Sequence, residues 1–220
     1  MNARPTIHVV AAAIEDARGQ ILIAQRPIGK HLAGAWEFPG GKRESGEAPL
    51  EALARELREE LGIEIGSGPH RPVRRISHAY PDRHVLIDVW RVNEFVGTPR
   101  GLDAQALRWC TLDELDRAEL LPADKPIVAA LRLPAILVSE SADVYSIGER
   151  HAGKQFGVIC GDMNSAEAAE SRGADFVLMS FDLAQTTLSR FCGTLLIPVF
   201  TRAMSLDEAW RLGACGIHTL

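Results

Sequence analysis

At 220 residues the chain exceeds one ordinary domain, and it reads as two domains, each long enough to bury a core. With 46% apolar residues, 24% charged residues and a formal charge of −5, it has a globular make-up, which excludes a disordered chain and a surface built to grip nucleic acid through its phosphates. No apolar run nears the ~20 residues that span a bilayer, and Met1 to Thr6 lack a secretory signal, so no membrane or direct nucleic-acid partner is expected and the cytoplasm is the expected compartment.

In chain order, Ile7 to Ile14 and Ile21 to Ala24 are apolar runs separated by turn residues, which predicts a hairpin. Arg26 to Ser45, rich in glycine and proline, predicts a long ordered loop of the kind that carries function. Pro49 then opens a helix in which Leu50, Leu53, Ala54, Leu57 and Leu61 recur at helical spacing, with Gly62 suited to a left-handed cap. Strands are predicted at His78 to Tyr80 and Val85 to Val92 around a Pro81-Asp82 turn, and helices at Leu112 to Leu115 and Lys125 to Leu131. The four cysteines stand far apart, with no CxxC pair, and read as small buried apolar residues.

Beyond Pro134 short apolar runs, at Ile136 to Ser139, Phe156 to Cys160, Phe176 to Ser180, Leu195 to Phe200 and Gly216 to Leu220, alternate with helix-like stretches such as Ser165 to Ser171 and Ser205 to Leu212. Such alternation predicts parallel β/α units. The boundary falls near Leu133, giving domains 1–133 and 134–220.

The chemistry concentrates in Gly40-Gly41-Lys42-Arg43-Glu44-Ser45-Gly46-Glu47 and Arg55-Glu56-Leu57-Arg58-Glu59-Glu60-Leu61-Gly62-Ile63. On a helix Glu56, Glu59 and Glu60 share one face and the leucines another. Like charges so placed repel by a few tenths of a kcal/mol per pair on a bare helix. A hard divalent ion removes that cost, and Mg²⁺ favours carboxylates, water and phosphate oxygens, with Mn²⁺ a candidate substitute. Glycines let the loop backbone approach metal and substrate closely, and Arg55 can hold Glu47 or Glu59 in place. An isolated ELREELG segment would more simply be a solvated helix; the added spacing of Gly41, Glu47 and Arg55 shifts the reading to a metal platform for phosphates.

Gly41, five residues, Glu47, seven residues, Arg55-Glu56, Leu57, one residue, Glu59-Glu60, one residue, Gly62 and Ile63 match the box of the Nudix hydrolases at every position. The resemblance covers about residues 5–132 and is to the MutT-type members that remove 8-oxo-dGTP. It includes Gln25-Arg26, Trp36-Glu37-Phe38-Pro39, Tyr80-Pro81-Asp82-Arg83-His84, Trp109 and Leu121-Pro122-Ala123-Asp124-Lys125-Pro126. It implies an α/β fold, an α/β/α sandwich with a mixed sheet, and Mg²⁺-dependent hydrolysis of a nucleoside triphosphate, 8-oxo-dGTP first, to the monophosphate and pyrophosphate.

By this resemblance Glu56, Glu59, Glu60 and the Gly40 carbonyl would hold the metal, with Glu47 and Arg55 in support and Glu56 foremost as base or ligand. Arg26 would meet the phosphates. Glu37, Phe38, Gly41, Asp82 and Arg83 would line the substrate. Asp124 stands where the bacterial family offers an Asn to the purine edge; an ionised Asp only accepts hydrogen bonds, and this Asp could instead cap the helix that follows. Asp103 is the nearest match to a late-loop acid, while His31, His78 and His84 read as ordinary loop or strand residues. The alternatives are hydrolysis of another nucleoside diphosphate derivative, or a nucleotide-sensing module without turnover.

Residues 135–220 are similar to part of the thiamine phosphate synthase family, a β/α barrel, at Ala166-Glu167-Ala168-Ala169, Arg172 to Leu178, Ile197-Pro198-Val199 and Leu212 to Ile217. Phe200-Thr201-Arg202 replaces the glycine pair expected for phosphate, Phe181-Asp182-Leu183 departs from the substrate-contact pattern, and about five strands cannot close an eight-stranded barrel. The segment therefore reads as a degenerate, partial TIM-barrel-derived module without a second activity, in which Arg202 and His218 could be remnants of a phosphate site. Its open strand edges suit a homodimer.

Overall fold

The computed structural model describes residues 5–30, 32–66, 70–134, 136–137, 145–147, 155–179, 192, 195, 197–201, 205–211 and 214–218. His31, Phe181 to Leu183, Arg202 and the end of the last predicted helix at Leu212 and Gly213 lie outside them, and of His218 only the backbone is described. Two compact units emerge: Met1–Gly68 with Ile76–Val128, and Pro69–Arg75 with Ala129–Leu220.

In the first unit, β1 (Thr6–Ile14) lies between β4 (Gly40–Lys42), to which it is antiparallel, and β7 (His84–Val92), to which it is parallel; β6 (Arg71–Ala79) follows β7 in the sheet order, and of it Ile76–Ala79 belong to this unit. A second sheet holds β3 (Trp36–Glu37), β2 (Ile21–Gln25) and β9 (Leu107–Cys110), and β5 (Glu64–Ile65) pairs with β8 (Phe95–Val96). The predicted hairpin is thus corrected. Its turn forms, with the Arg18 and Gln20 N–H groups donating to Asp16 Oδ1 and the Asp16 N–H to the Gln20 carbonyl, but beyond an isolated bridge from Glu15 to Ile21 the strands β1 and β2 join different sheets. Turn chemistry is local, whereas strand partners were chosen by residues far along the chain. The expected loop from Arg26 to Ser45 also contributes β3 and β4.

Helix α1 (Pro49–Leu61) forms as its pattern requires. Proline occupies the first turn, Glu51 accepts from the Ala48 N–H at 3.0 Å, and Gly62 ends it with φ 67°. Ala52, Leu53, Leu57 and Leu61 are buried against Val10, Ala12, Ile14, Leu22, Ile63 and Val92, while Leu50 stays largely exposed. This apolar stripe fixes which way the charged face points. Helices α2 (Leu112–Arg117) and α3 (Lys125–Leu131) follow, the former capped by Thr111 with Glu114.

The second unit is a parallel sheet in the order β10 (Ile136–Leu137), β15 (Gly216–His218), β14 (Val199–Thr201), β13 (Phe176–Met179), β12 (Gln155–Cys160), β11 (Tyr145–Ile147). Strand β11 went unpredicted, being short and flanked by polar sequence. Alternate residues fill two faces. Val177, Met179 and Val199 join Ala166 and Ala169 of α4 (Met163–Ser171) and Ala209 of α5 (Leu206–Arg211). Phe176, Leu178 and Phe200 pack with Leu133 and Cys215 on the other face. The Pro69–Arg75 segment belongs here because buried Arg71 donates to the carbonyls of Cys215, Leu133 and Pro134. A pairing 144 residues apart leaves no trace in local pattern.

Leu57 is 0% exposed at the centre of the α1 contact. Leu57→Ala is expected to destabilise the first unit by about 2–5 kcal/mol, read as a lowered urea midpoint, with loss of activity only where that unit unfolds.

Candidate active site

The β4 backbone and the charged face of α1 meet through one guanidinium. Arg55 donates Nε to Glu47 Oε1 and Nη2 to Glu47 Oε2, both at 2.9 Å, a bidentate pair that draws the loop residue Glu47 onto the helix. Its Nη1 reaches Glu56 Oε1 at 2.9 Å and Glu59 Oε2 at 3.4 Å, and Nη2 reaches the Lys42 carbonyl at 3.1 Å. The Glu44 N–H donates to Glu47 Oε2 at 3.0 Å, closing the loop. Arg55 thereby holds the Glu47 carboxyl below the usual carboxylate range.

Gly41 packs directly on Glu56: a Cβ there would overlap the Glu56 carboxylate, and a Cβ on Gly40 would overlap the Val10 backbone. Gly40 also holds φ 147°, where side chains are disfavoured. The two glycines are therefore steric requirements of the carboxylate's position. Glu56 is largely buried, Glu59 is 61% exposed, and Glu60 is half-buried beside the Gly40 backbone. Burial pushes Glu60 up to about 7, with Lys30 opposing and the charges of Glu37 and Glu56 adding to the rise.

A metal fits this donor set. The residues are hard oxygen ligands on a mutually repelling acidic face, and Gly41 leaves the Glu56 carboxylate room that any side chain would fill. Among the described residues, however, no three acidic, His or Cys side chains converge at ligand spacing. Glu56 and Glu59 turn toward Arg55 while Glu60 turns toward Gly40, so Arg55 offsets part of the repulsion on this acidic face.

Beside these acids, Arg26 is ion-paired with Glu37, two residues predicted to serve separately as phosphate and nucleoside contacts. Burial nevertheless raises the Glu37 carboxyl, against the pull of Arg26. Phe38 is buried, and its N–H donates to Asp124 Oδ2 at 3.2 Å. Asp124 therefore does not cap α3 with its side chain; it ties the start of that helix to the segment after β3. Tyr80 lies near enough to feel Asp124, Arg26 and Glu37. Asp82 and Arg83 pair with each other on the exposed turn between β6 and β7, where the Tyr80 N–H donates to the Arg83 carbonyl at 2.8 Å.

Asp103 is exposed, in a loop whose Leu102 N–H donates to the Glu60 carbonyl at 2.9 Å. His84 Nε2 bonds Ser77 Oγ at 2.6 Å and His78 stacks edge-on with Tyr80, structural roles for both. Lys30 was missed by sequence reading. It acts on both Glu60 and Glu37 electrostatically, and its only signal was a positive charge in a glycine-rich loop.

A carboxyl with its pKa raised from 4.5 to about 7 favours the folded state fully below the lower value, and that stability is lost as pH rises through the higher one. Glu60→Gln removes the titration. In EDTA the variant is expected to match the wild type below pH 4.5 and to melt increasingly above it as the pH rises from 4.5 to about 7, the difference levelling off beyond, and added divalent cation is expected to narrow it; a gap constant with pH throughout would exclude this origin.

A family profile for the NUDIX domain matches residues 10–130. The chain is 45% identical to the CTP pyrophosphohydrolase of Escherichia coli over 56% of its length and 90% of that protein, and 34% identical to the 8-oxo-dGTP diphosphatase of the same organism over 57% of its length and 96% of that protein. The solution structure of the E. coli ORF135 protein aligns at a TM-score of 0.51 with 44% identity, covering 58% of this chain and 89% of that one. These matches lie in the half of the chain that carries Arg55 and its carboxylates, and on them the chain belongs to the Nudix hydrolase family.

Proposed function

We propose that the chain is a Mg²⁺-dependent nucleoside triphosphate pyrophosphohydrolase that converts 8-oxo-dGTP and water to 8-oxo-dGMP and pyrophosphate, clearing the damaged nucleotide from the cytoplasmic pool and so avoiding mutation. The observation that carries the reading is the Arg55 network, which draws the loop residue Glu47 to Glu56 and Glu59 on one helix face against a glycine backbone. Glu56, Glu59, Glu60 and the Gly40 carbonyl would hold the metal, with Glu47 in support. When bound, Mg²⁺, or Mn²⁺ in its place, supplies charge neutralisation to the phosphates and acidifies a water.

The chain's own groups do the rest. A carboxylate, Glu56 first, takes the proton of the attacking water as its oxygen bonds to phosphorus, and the P–O bond to the leaving group breaks. Arg55 holds Glu56 in position, and Arg26 meets the phosphates once it exchanges Glu37 for them. Phe38, Glu37, Gly41, Asp82, Arg83 and Asp124 form the nucleoside side.

A second substrate reading has its own support: the relative at 45% identity is named a CTP pyrophosphohydrolase, and Asp124 is an acid buried within the substrate side. For the second domain, 134–220, we propose a degenerate barrel-derived module without catalysis. The strand order supports it, because among the described residues the first strand of the module, β10, pairs with the last, β15, as in a closing barrel, and the sheet order ends at β10 and β11. Those two edges are where a second copy would pair.

With the full chain and Mg²⁺, pyrophosphate is expected from 8-oxo-dGTP, with none in EDTA. Glu56→Gln should lower kcat by about a hundredfold or more while the melting temperature holds. Near-wild-type turnover by Glu56→Gln would remove Glu56 from the chemistry, and nucleotide binding without any turnover would favour a sensing module.

A further inference from the structure

The last turn of α1 carries Glu59 and Glu60, and carbonyls at a helix C-terminus find no partner within the helix. The Gly62 and Ile63 N–H groups serve the Arg58 and Leu57 carbonyls at 3.0 and 3.4 Å. Those of Glu60 and Leu61 are met by a loop far along the chain. The Arg100 N–H donates to the Leu61 carbonyl at 3.0 Å, while the Leu102 N–H and Gln105 Nε2 both donate to the Glu60 carbonyl, at 2.9 and 3.1 Å. Both lone pairs of the Glu60 carbonyl are thereby used.

The half-buried Gln105 side chain is held at both ends of its amide, because Oε1 accepts from the Asp103 N–H at 2.8 Å. The residue between them is strained: Ala104 holds φ 58° without glycine's freedom, and its N–H closes a turn on the Gly101 carbonyl at 3.2 Å. Such a conformation persists only where its surroundings over-determine it. A Cβ on Gly101 would overlap the Gln105 carbonyl, so the loop needs glycine there to fold back this closely. Its far end is anchored too, since the Gln25 N–H donates to the Ala106 carbonyl at 2.8 Å and β9 then pairs with β2.

Resting on the reading of Glu60 as a metal ligand, we propose that Gln105 is a positioning residue for the metal site, its amide bridging the Glu60 carbonyl and the Asp103 N–H to keep the last turn of α1 wound. Helix ends fray within that turn. With two donors fixing the peptide after Glu60, the direction of its side chain is fixed as well, and the carboxylate stays on the face it shares with Glu56. A ligand already held loses less freedom on taking a cation, so the bridge raises metal affinity without touching the metal. Only an amide suits the position: a carboxylate lacks the donor for Glu60, and a cationic side chain lacks the acceptor for Asp103.

The test is Mn²⁺ binding to the full chain without nucleotide, read from the electron paramagnetic resonance signal of the free ion. Gln105→Met keeps the length of the side chain and removes both hydrogen bonds. It is expected to weaken Mn²⁺ binding by about ten- to a hundredfold, and to raise the Mg²⁺ concentration for half-maximal pyrophosphate release in step. In a Glu60→Gln background the same substitution is expected to cost less than about threefold, because the group it positions is gone. Equal Mn²⁺ affinity in wild type and Gln105→Met, or losses that multiply in the double variant, overturns the inference while leaving the hydrolase intact. If Gln105→Met does not fold, the wild type decides alone: by reciprocity, bound Mg²⁺ must slow hydrogen exchange at the Asp103 N–H, and an unchanged rate overturns the bridge. No Mn²⁺ binding by the wild type overturns both the inference and the metal-site reading beneath it.

Discussion

The first unit turns on Arg55. A single guanidinium binds Glu47 across eight residues of chain, Glu56 beside it and Glu59 one turn on, and still reaches the Lys42 carbonyl. Without a cation at that point, three carboxylates and a carbonyl would face one another at the meeting of loop and helix. A planar, permanently charged fork can satisfy several acceptors at fixed angles, which a lysine cannot. The loop from Gly40 to Glu47 therefore has a defined shape before any substrate arrives.

That arrangement depends in turn on the opposite face of α1. Leu53, Leu57 and Leu61 are fully buried against β1, which locks the helix about its own axis and so directs Arg55, Glu56 and Glu60 toward β4. The glycines of β4 complete the geometry from the other side, since Glu56 occupies the space a side chain at position 41 would need. Packing thus converts an amphipathic pattern into a site, and the site's repulsions are tolerated because the packing outweighs them.

Two acids, Glu60 and Asp124, are raised to about 7 by the same cause, burial, but in different company. Glu60 sits among other acids, where a bound cation would favour its charged form. Asp124 touches a backbone N–H and lies near a Glu–Arg pair that is nearly self-neutral.

Much of this was legible in the sequence. The box spacing, the α1 pattern from Pro49 to Gly62 and the alternation beyond Pro134 depend on contacts a few residues apart, and local periodicity records those. So does the turn at Asp16. What tertiary structure alone decided was partnership: that β1 pairs with β4 and β7 instead of β2, that Arg26 meets Glu37, that Asp124 bonds Phe38 rather than its own helix, and that Pro69–Arg75 belongs with the second unit. Each joins residues whose separation along the chain carries no periodic signal. Their meeting is set by which apolar faces bury together, and the polar groups then pair with whatever that burial brings within reach.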